Sequence, residues 1–150
     1  MAPIVMGGMI PWWLTRWQSG PDVPAARLLS LLGWCGVIVG TAAVIEAFVR
    51  FVRRGRGTPA PYDPAVYLVA SGSYRYVRNP MYVGMLMLVI GQALILRRTA
   101  LVWYSLALGL AFHLRIILHE EPFLERRFGE SYREYCRHVR RWVPRVRARK

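Results

Sequence analysis

Residues 81–118 read MYVGMLMLVIGQALILRRTALVWYSLALGLAFHLRIIL. Two apolar runs, Met81 to Leu96 and Leu101 to Leu118, flank the Arg97-Arg98 pair. A connection this short makes two helices antiparallel neighbours, so their distant ends meet on the same side. A polar block lies at each of those ends. The first is Gly72-Ser73-Tyr74-Arg75-Tyr76-Val77-Arg78-Asn79-Pro80-Met81-Tyr82-Val83-Gly84. The second starts at Glu120-Glu121-Pro122 and continues through Phe128-Gly129-Glu130, Tyr132, Tyr135 and Trp142-Val143-Pro144. Charged and aromatic groups therefore gather at one end of a membrane-embedded helix pair, where a water-soluble ligand could meet a lipophilic one.

At 150 residues the chain is one domain at most. It is 55% hydrophobic and still carries a formal net charge of +13. The basic residues sit at the ends of apolar segments: Arg50, Arg53, Arg54 and Arg56 after the first long run, Arg75 and Arg78 before the second. Ten more follow between Arg126 and Lys150. This is the positive-inside pattern, which puts the 50–80 connection and the C-terminus on the cytoplasmic side. It accounts for the charge without a nucleic-acid partner. Cys35 and Cys136 build neither a zinc site nor a disulfide framework and read as small packing residues. The N-terminus shows no basic lead-in, so no removable signal peptide is expected.

Met1 to Leu14 is apolar but interrupted by Pro3, Pro11 and Gly7-Gly8. A helix of ~14 residues reaches about 21 Å, less than the ~30 Å hydrocarbon core, with Trp12, Trp13 and Trp17 as interfacial anchors. Ser19 to Pro24 is a loop by composition, and Leu28 to Val52 is long enough to span. Gly33, Gly36, Gly40, Ala43 and Ala47 put small residues on one face of that span, and Gly36 with Gly40 permits close backbone approach. Glu46 lies four residues before Arg50 and reads either as a surface ion pair or as a polar group facing a cavity. Gly55 to Pro64 cannot be regular, and Val66 to Val69 looks like a short extended or irregular stretch. Pro122 suits the first turn of a new helix. Leu124, Phe128, Tyr132, Tyr135 and Val139 recur at helical spacing, giving an amphipathic tail with a break at Gly129.

The blocks contain no Ser-His-Asp set, no HExxH, no phosphate-binding loop and no cluster of metal ligands. His113, His119 and His138 are isolated, and His113 in its apolar helix reads as a packing or hydrogen-bonding residue. What is present suits a charged, aromatic ligand. Tyr74, Tyr76 and Tyr82 offer ring faces and hydroxyls, Asn79 both donor and acceptor, and Glu120-Glu121 negative charge. Asn79 is biased to extended backbone by Pro80, and irregular backbone at membrane depth is tolerated where it lines a cavity or is buried in protein.

Over roughly residues 55 to 145 the chain resembles the isoprenylcysteine carboxyl methyltransferase family and the related phospholipid methyltransferases. The resemblance rests on Gly-x-Tyr-x-x-x-Arg-(His/Asn)-Pro-x-Tyr-x-Gly, then Glu-Glu, then Phe-Gly-x-x-Tyr-x-x-Tyr. It implies an all-α fold: an integral-membrane helical bundle of three clear spans plus a short N-terminal apolar helix, with a C-terminal amphipathic cytoplasmic helix. The single domain, 1–150, would hold N-terminal helices in 1–54 and the cofactor-binding hairpin with its C-terminal cover in 66–145. By resemblance the cofactor is S-adenosylmethionine. Tyr67, Leu68, Val69, Tyr74, Asn79, Pro80, Met81, Tyr82 and Glu120 would bind it. Two departures stand out. Asn79 replaces the His of eukaryotic members and cannot take up a proton near neutral pH. The family's substrate-holding Arg, four residues before the Glu, falls here on Ile116, with Arg115 beside it. One residue is about 100° of helical rotation, so Arg115 need not share that direction.

Methyl transfer from a sulfonium is an in-line displacement that asks the protein mainly to position the acceptor and exclude water. The expected activity is methylation of a lipophilic carboxylate or amine at the cytoplasmic face of a bacterial membrane by a multi-pass protein. Arg78 or Arg115 would serve a carboxylate acceptor, Glu121 or water would take a proton from an amine, and Arg115 would contact the substrate. Two other readings stay open. Sterol-type membrane reductases share an Arg-His-Pro-x-Tyr hairpin and use NADPH, and a non-catalytic membrane protein could keep the family shape.

Overall fold

The computed structural model describes residues 2–21, 23–55, 68 and 70–144. Helix α1 covers residues 2–15, α2 Ala26–Gly55, α3 Pro80–Leu96, α4 Thr99–Phe128 and α5 Glu130–His138, with a 3-10 turn at Gly72–Arg75. Among the described residues the only extended pairing is an isolated parallel bridge between Val77 and Arg140. Helices α2 and α4 are long and apolar enough to cross a bilayer. Helix α3 is apolar but has 17 residues. That gives it about 26 Å, slightly under a full hydrocarbon core.

The chain divides into two compact units, Met1–Ala42 with Gly84–Phe112, and Ala43–Val83 with His113–Lys150. In the first, the small-residue face of α2 meets α3 backbone to backbone. A Cβ at Gly33 would lie 2.7 Å from the Gly91 carbonyl oxygen, and one at Gly40 would lie 2.6 Å from that of Gly84. No larger residue fits, as the Gly36/Gly40 spacing led us to expect. Ala93, Leu96 and Leu101 form a core beside the Arg97 turn, packed by Ile95 and Tyr104. The opposite faces are apolar and exposed: Leu31, Trp34 and Ile38 on α2, and Trp103, Leu106 and Leu110 on α4. The connection after α1 is tied to this turn. Arg98 Nε donates to the Gln18 carbonyl at 3.0 Å, and the Gly20 amide to that of Leu96 at 2.7 Å.

Helix α1 is less interrupted than its prolines and glycines suggest. Pro11 has no N–H and its ring crowds the carbonyl four residues back, that of Gly7. The backbone answers with a π-turn at Val5–Met9, in which the Ile10 amide bonds to the Val5 carbonyl. The carbonyls this leaves over are taken by side chains. Tyr104 Oη donates to Met6 O at 2.8 Å, and Gln92 Nε2 to Gly7 O at 2.7 Å. In an apolar setting an unsatisfied carbonyl costs several kcal/mol, so these two bonds are what lets the segment stay helical.

A second π-turn, Ile116–Glu120, corrects the expectation of a helix ending near Leu118 and a new one beginning at Pro122. Helix α4 runs unbroken to Phe128. In a regular α ladder the Pro122 ring would crowd the Leu118 carbonyl. The wider turn, with the Glu121 amide bonded to Ile116 O, admits the proline without ending the helix. The break falls at Gly129, whose φ of 53° is left-handed, and α5 follows. Tyr132, Tyr135 and Val139 are buried together against Leu68, Leu124, Phe128 and Cys136.

Candidate active site

Within the second unit the two polar blocks meet through named side chains. Tyr82, in the first turn of α3, donates its hydroxyl to Glu120 Oε1. Arg115 Nε donates to the same oxygen at 2.9 Å and to the Tyr82 hydroxyl at 3.2 Å. Among the described residues Glu120 Oε2 and the two terminal nitrogens of Arg115 carry no bond, and the Arg115 side chain is 48% exposed. The second π-turn is what brings Arg115 and Glu120 together. Residues five apart on a regular α-helix are turned about 140° from one another. The i to i+5 bonding of a π-turn stacks them instead. Ile116 meanwhile points inward, 1% exposed. Arg115 thus bonds to Glu120 although the two are five residues apart.

Glu121 is held differently. Arg141 grips it with Nε on Oε1 and Nη2 on Oε2, both at 2.7 Å, while Arg78 Nη1 reaches Oε1 at 3.1 Å. The bidentate pairing raises the Arg141 guanidinium further above its ordinary range, the bond to Glu121 being the main cause. Arg78 also donates to Cys136 Sγ at 2.9 Å, and its Nε is buried with no partner among the described residues. The segment after α5 is strapped along the first block. The Arg78 amide donates to Arg140 O at 2.9 Å, Asn79 Nδ2 to Arg141 O at 3.2 Å, and Trp142 Nε1 to His113 Nδ1 at 3.3 Å. His113 is thus a hydrogen-bonding residue, and its Nδ1 is the acceptor.

Tyr135 donates its hydroxyl to the Tyr74 carbonyl at 2.7 Å, joining α5 to the 3-10 turn. Burial pushes the phenols of Tyr74, Tyr132 and Tyr135 above their ordinary value. At Tyr74 the neighbouring Tyr135 and the charges of Glu46 and Glu120 add to the shift. All three are neutral hydrogen-bonding groups at physiological pH.

Of the residues singled out from sequence, Tyr82, Arg115 and Glu120 form one bonded group, and Arg78, Glu121 and Asn79 form another through Arg141. Pro80 opens α3, Met81 follows it half-buried, and Leu68 packs on the tyrosine core. Tyr67 and Val69 lie outside the described residues. Sequence reasoning missed Arg141, Ser73 and Cys136. Arg141 sat in a run of arginines with no spacing to mark it, whereas Trp142 was at least inside the second block. The set suits a ligand that carries both a hydrogen-bond donor and an anionic acceptor. A free carboxylate oxygen on Glu120 would take a donor, and the lone Arg78 Nε is a buried N–H lacking an acceptor.

The model of the family described as phospholipid methyltransferase matches residues 28–131. A probable protein-S-isoprenylcysteine O-methyltransferase of Oryza sativa subsp. indica is 31% identical over 136 residues, 87% of this chain and 69% of its own length. Protein-S-isoprenylcysteine O-methyltransferase A of Arabidopsis thaliana is 33% identical over 110 residues, 73% of this chain and 54% of its own. The Schizosaccharomyces pombe enzyme is 37% identical over 78 residues, 51% of this chain and 33% of its own. The chain belongs to the phospholipid methyltransferase family. It is a methyltransferase of the S-adenosylmethionine-dependent type.

Proposed function

We propose that this chain transfers the methyl group of S-adenosylmethionine to a carboxylate of a lipophilic acceptor at the cytoplasmic face of the membrane it spans. Cofactor chemistry contributes an electrophilic methyl on sulfonium; what remains for the protein is to bind, orient and keep the site dry. The observation that carries the reading is the Tyr82–Glu120–Arg115 group. Glu120, steadied by Tyr82, keeps an oxygen for a polar group of the cofactor, and the family resemblance adds Tyr67, Leu68, Val69, Tyr74, Asn79, Pro80 and Met81 to the contacts. Arg115 is fixed by Nε and offers its terminal nitrogens, the pair that matches a carboxylate. An ammonium acceptor would be repelled there.

A carboxylate acceptor needs no general base. That suits a Glu121 whose oxygens already receive three N–H donors from two arginines. In this reading Arg78 and Glu121 hold the strap in register beside the site. The exposed apolar faces of α2 and α4 support a multi-pass membrane protein in which α3, though short, is the third span. The arginines flanking Arg50–Arg78 and the C-terminal run support a cytoplasmic site.

The test supplies labelled S-adenosylmethionine and a set of lipophilic acids and amines to the protein in nanodiscs. Label in a base-labile ester of an acid supports the reading. Label only in amines overturns the carboxylate assignment, and no transfer from a protein that binds the cofactor favours the non-catalytic alternative.

A further inference from the structure

Glu46 is the one carboxylate of α2, and it has no part in the proposed site. Its Oε1 accepts from Arg50 Nε, the i,i+4 pair visible in the sequence. Its Oε2 accepts from the hydroxyl of Ser73, 27 residues further along the chain. A surface ion pair has no need of that second bond. The Arg50 guanidinium in turn lies against Gly72, where a Cβ would overlap its Nε and Cζ. Gly72 has a φ of +61°, a conformation that disfavours any side chain, and a Cβ there would also require the Arg50 guanidinium to shift. Ser73 is the acceptor end of the turn itself, since its carbonyl receives the amides of Tyr76 at 3.1 Å and Val77 at 3.2 Å. Between those bonds stands Tyr74.

We infer that Glu46 is a positioning residue for cofactor binding, acting through Ser73 to fix the 3-10 turn that presents Tyr74. The inference rests on the proposed cofactor site and extends it to α2, a helix outside both motif blocks. An intramembrane carboxylate is expensive to keep unless it serves such a purpose. The turn is pinned from two sides, by Glu46 and Arg50 at Gly72-Ser73 and by Tyr135 at the Tyr74 carbonyl. Tyr74 feels the Glu46 charge, in keeping with that closeness.

The test compares the wild-type full chain with Glu46→Gln, Ser73→Ala and the double variant in nanodiscs. Amide exchange across Gly72–Val77 is read without cofactor, and S-adenosylmethionine affinity by calorimetry. Exchange at Tyr76 and Val77 should speed up about tenfold in either variant. The cofactor Kd should rise about tenfold, and the double variant should add little to either single change because both act through one bond. In turnover, KM for the cofactor rises while kcat at saturation changes less than about threefold. Wild-type exchange and affinity in both single variants, or additive losses in the double, would overturn the inference. Failure of the wild-type protein to bind S-adenosylmethionine is a separate result, which overturns the proposed function beneath it.

Discussion

The chain uses one backbone device twice, to opposite ends. Val5–Met9 and Ile116–Glu120 are both five-residue π-turns, and each is followed after one residue by a proline. At the first, neutral side chains from α3 and α4 take the carbonyls that the proline frees, and the result is a helix that survives among apolar neighbours. At the second, the turn stacks a charged pair that a regular helix would hold apart. One turn is resolved inward and serves the fold. The other is half-exposed, joins Tyr82, and belongs to the proposed cofactor site. A π-turn therefore identifies a place where register has been altered, and only the side chains around it say for what.

The largest effect expected from this contrast is at Glu120. Glu120→Ala removes the anchor of Tyr82 and Arg115, and calorimetry should show S-adenosylmethionine affinity falling about a hundredfold with little change in melting temperature. Gln92→Leu is the matching change at the first turn. It leaves the Gly7 carbonyl without its donor and should cost about 1–3 kcal/mol of stability, read as a lower melting temperature, while cofactor affinity stays within about twofold. If Gln92→Leu abolished binding, or Glu120→Ala merely melted the protein, the division of labour between the turns would be wrong.

Much of the fold was legible because apolar run lengths and a tight Arg97-Arg98 connection dictate a helical hairpin, and glycines at spacings of three and four dictate close approach. The first block was legible too, since Asn79-Pro80 and the flanking tyrosines are dense in one short stretch. The π-turns were not. They leave the hydrophobic pattern almost unchanged, and a one-residue shift in bonding shows only in which side chains meet. Read on a regular helix, Arg115 need not share the direction of the family's arginine, which falls on Ile116. Read across Ile116–Glu120, Arg115 is bonded to Glu120. Arg141 and Ser73 escaped for a related reason, as their partners lie 20 and 27 residues away and are chosen by the fold.

The smallest effect concerns alkaline pH. The folded state holds Tyr74, Tyr132 and Tyr135 neutral, with pKa values raised by burial. It therefore binds protons more tightly than the unfolded chain. Stability is fully present below the ordinary phenol range near pH ~10 and is lost as pH rises through the raised values. Melting temperatures measured across that range should fall, and fall less in Tyr135→Phe than in wild type relative to each protein's own neutral-pH value.

The most direct measurement moves the arginine. Arg115→Ile alone and Arg115→Ile with Ile116→Arg are compared with wild type for methyl transfer to a lipophilic acid, with circular dichroism and monodispersity confirming that each is folded. The double variant restores the arginine spacing of the family by sequence count but puts the guanidinium where Ile116 is buried. The single change should lower kcat/KM for the acceptor about a hundredfold, and the double variant should recover none of it. Recovery of activity in the double variant would contradict the account, because the site would then lie on the Ile116 side of the helix and the π-turn would have no part in building it.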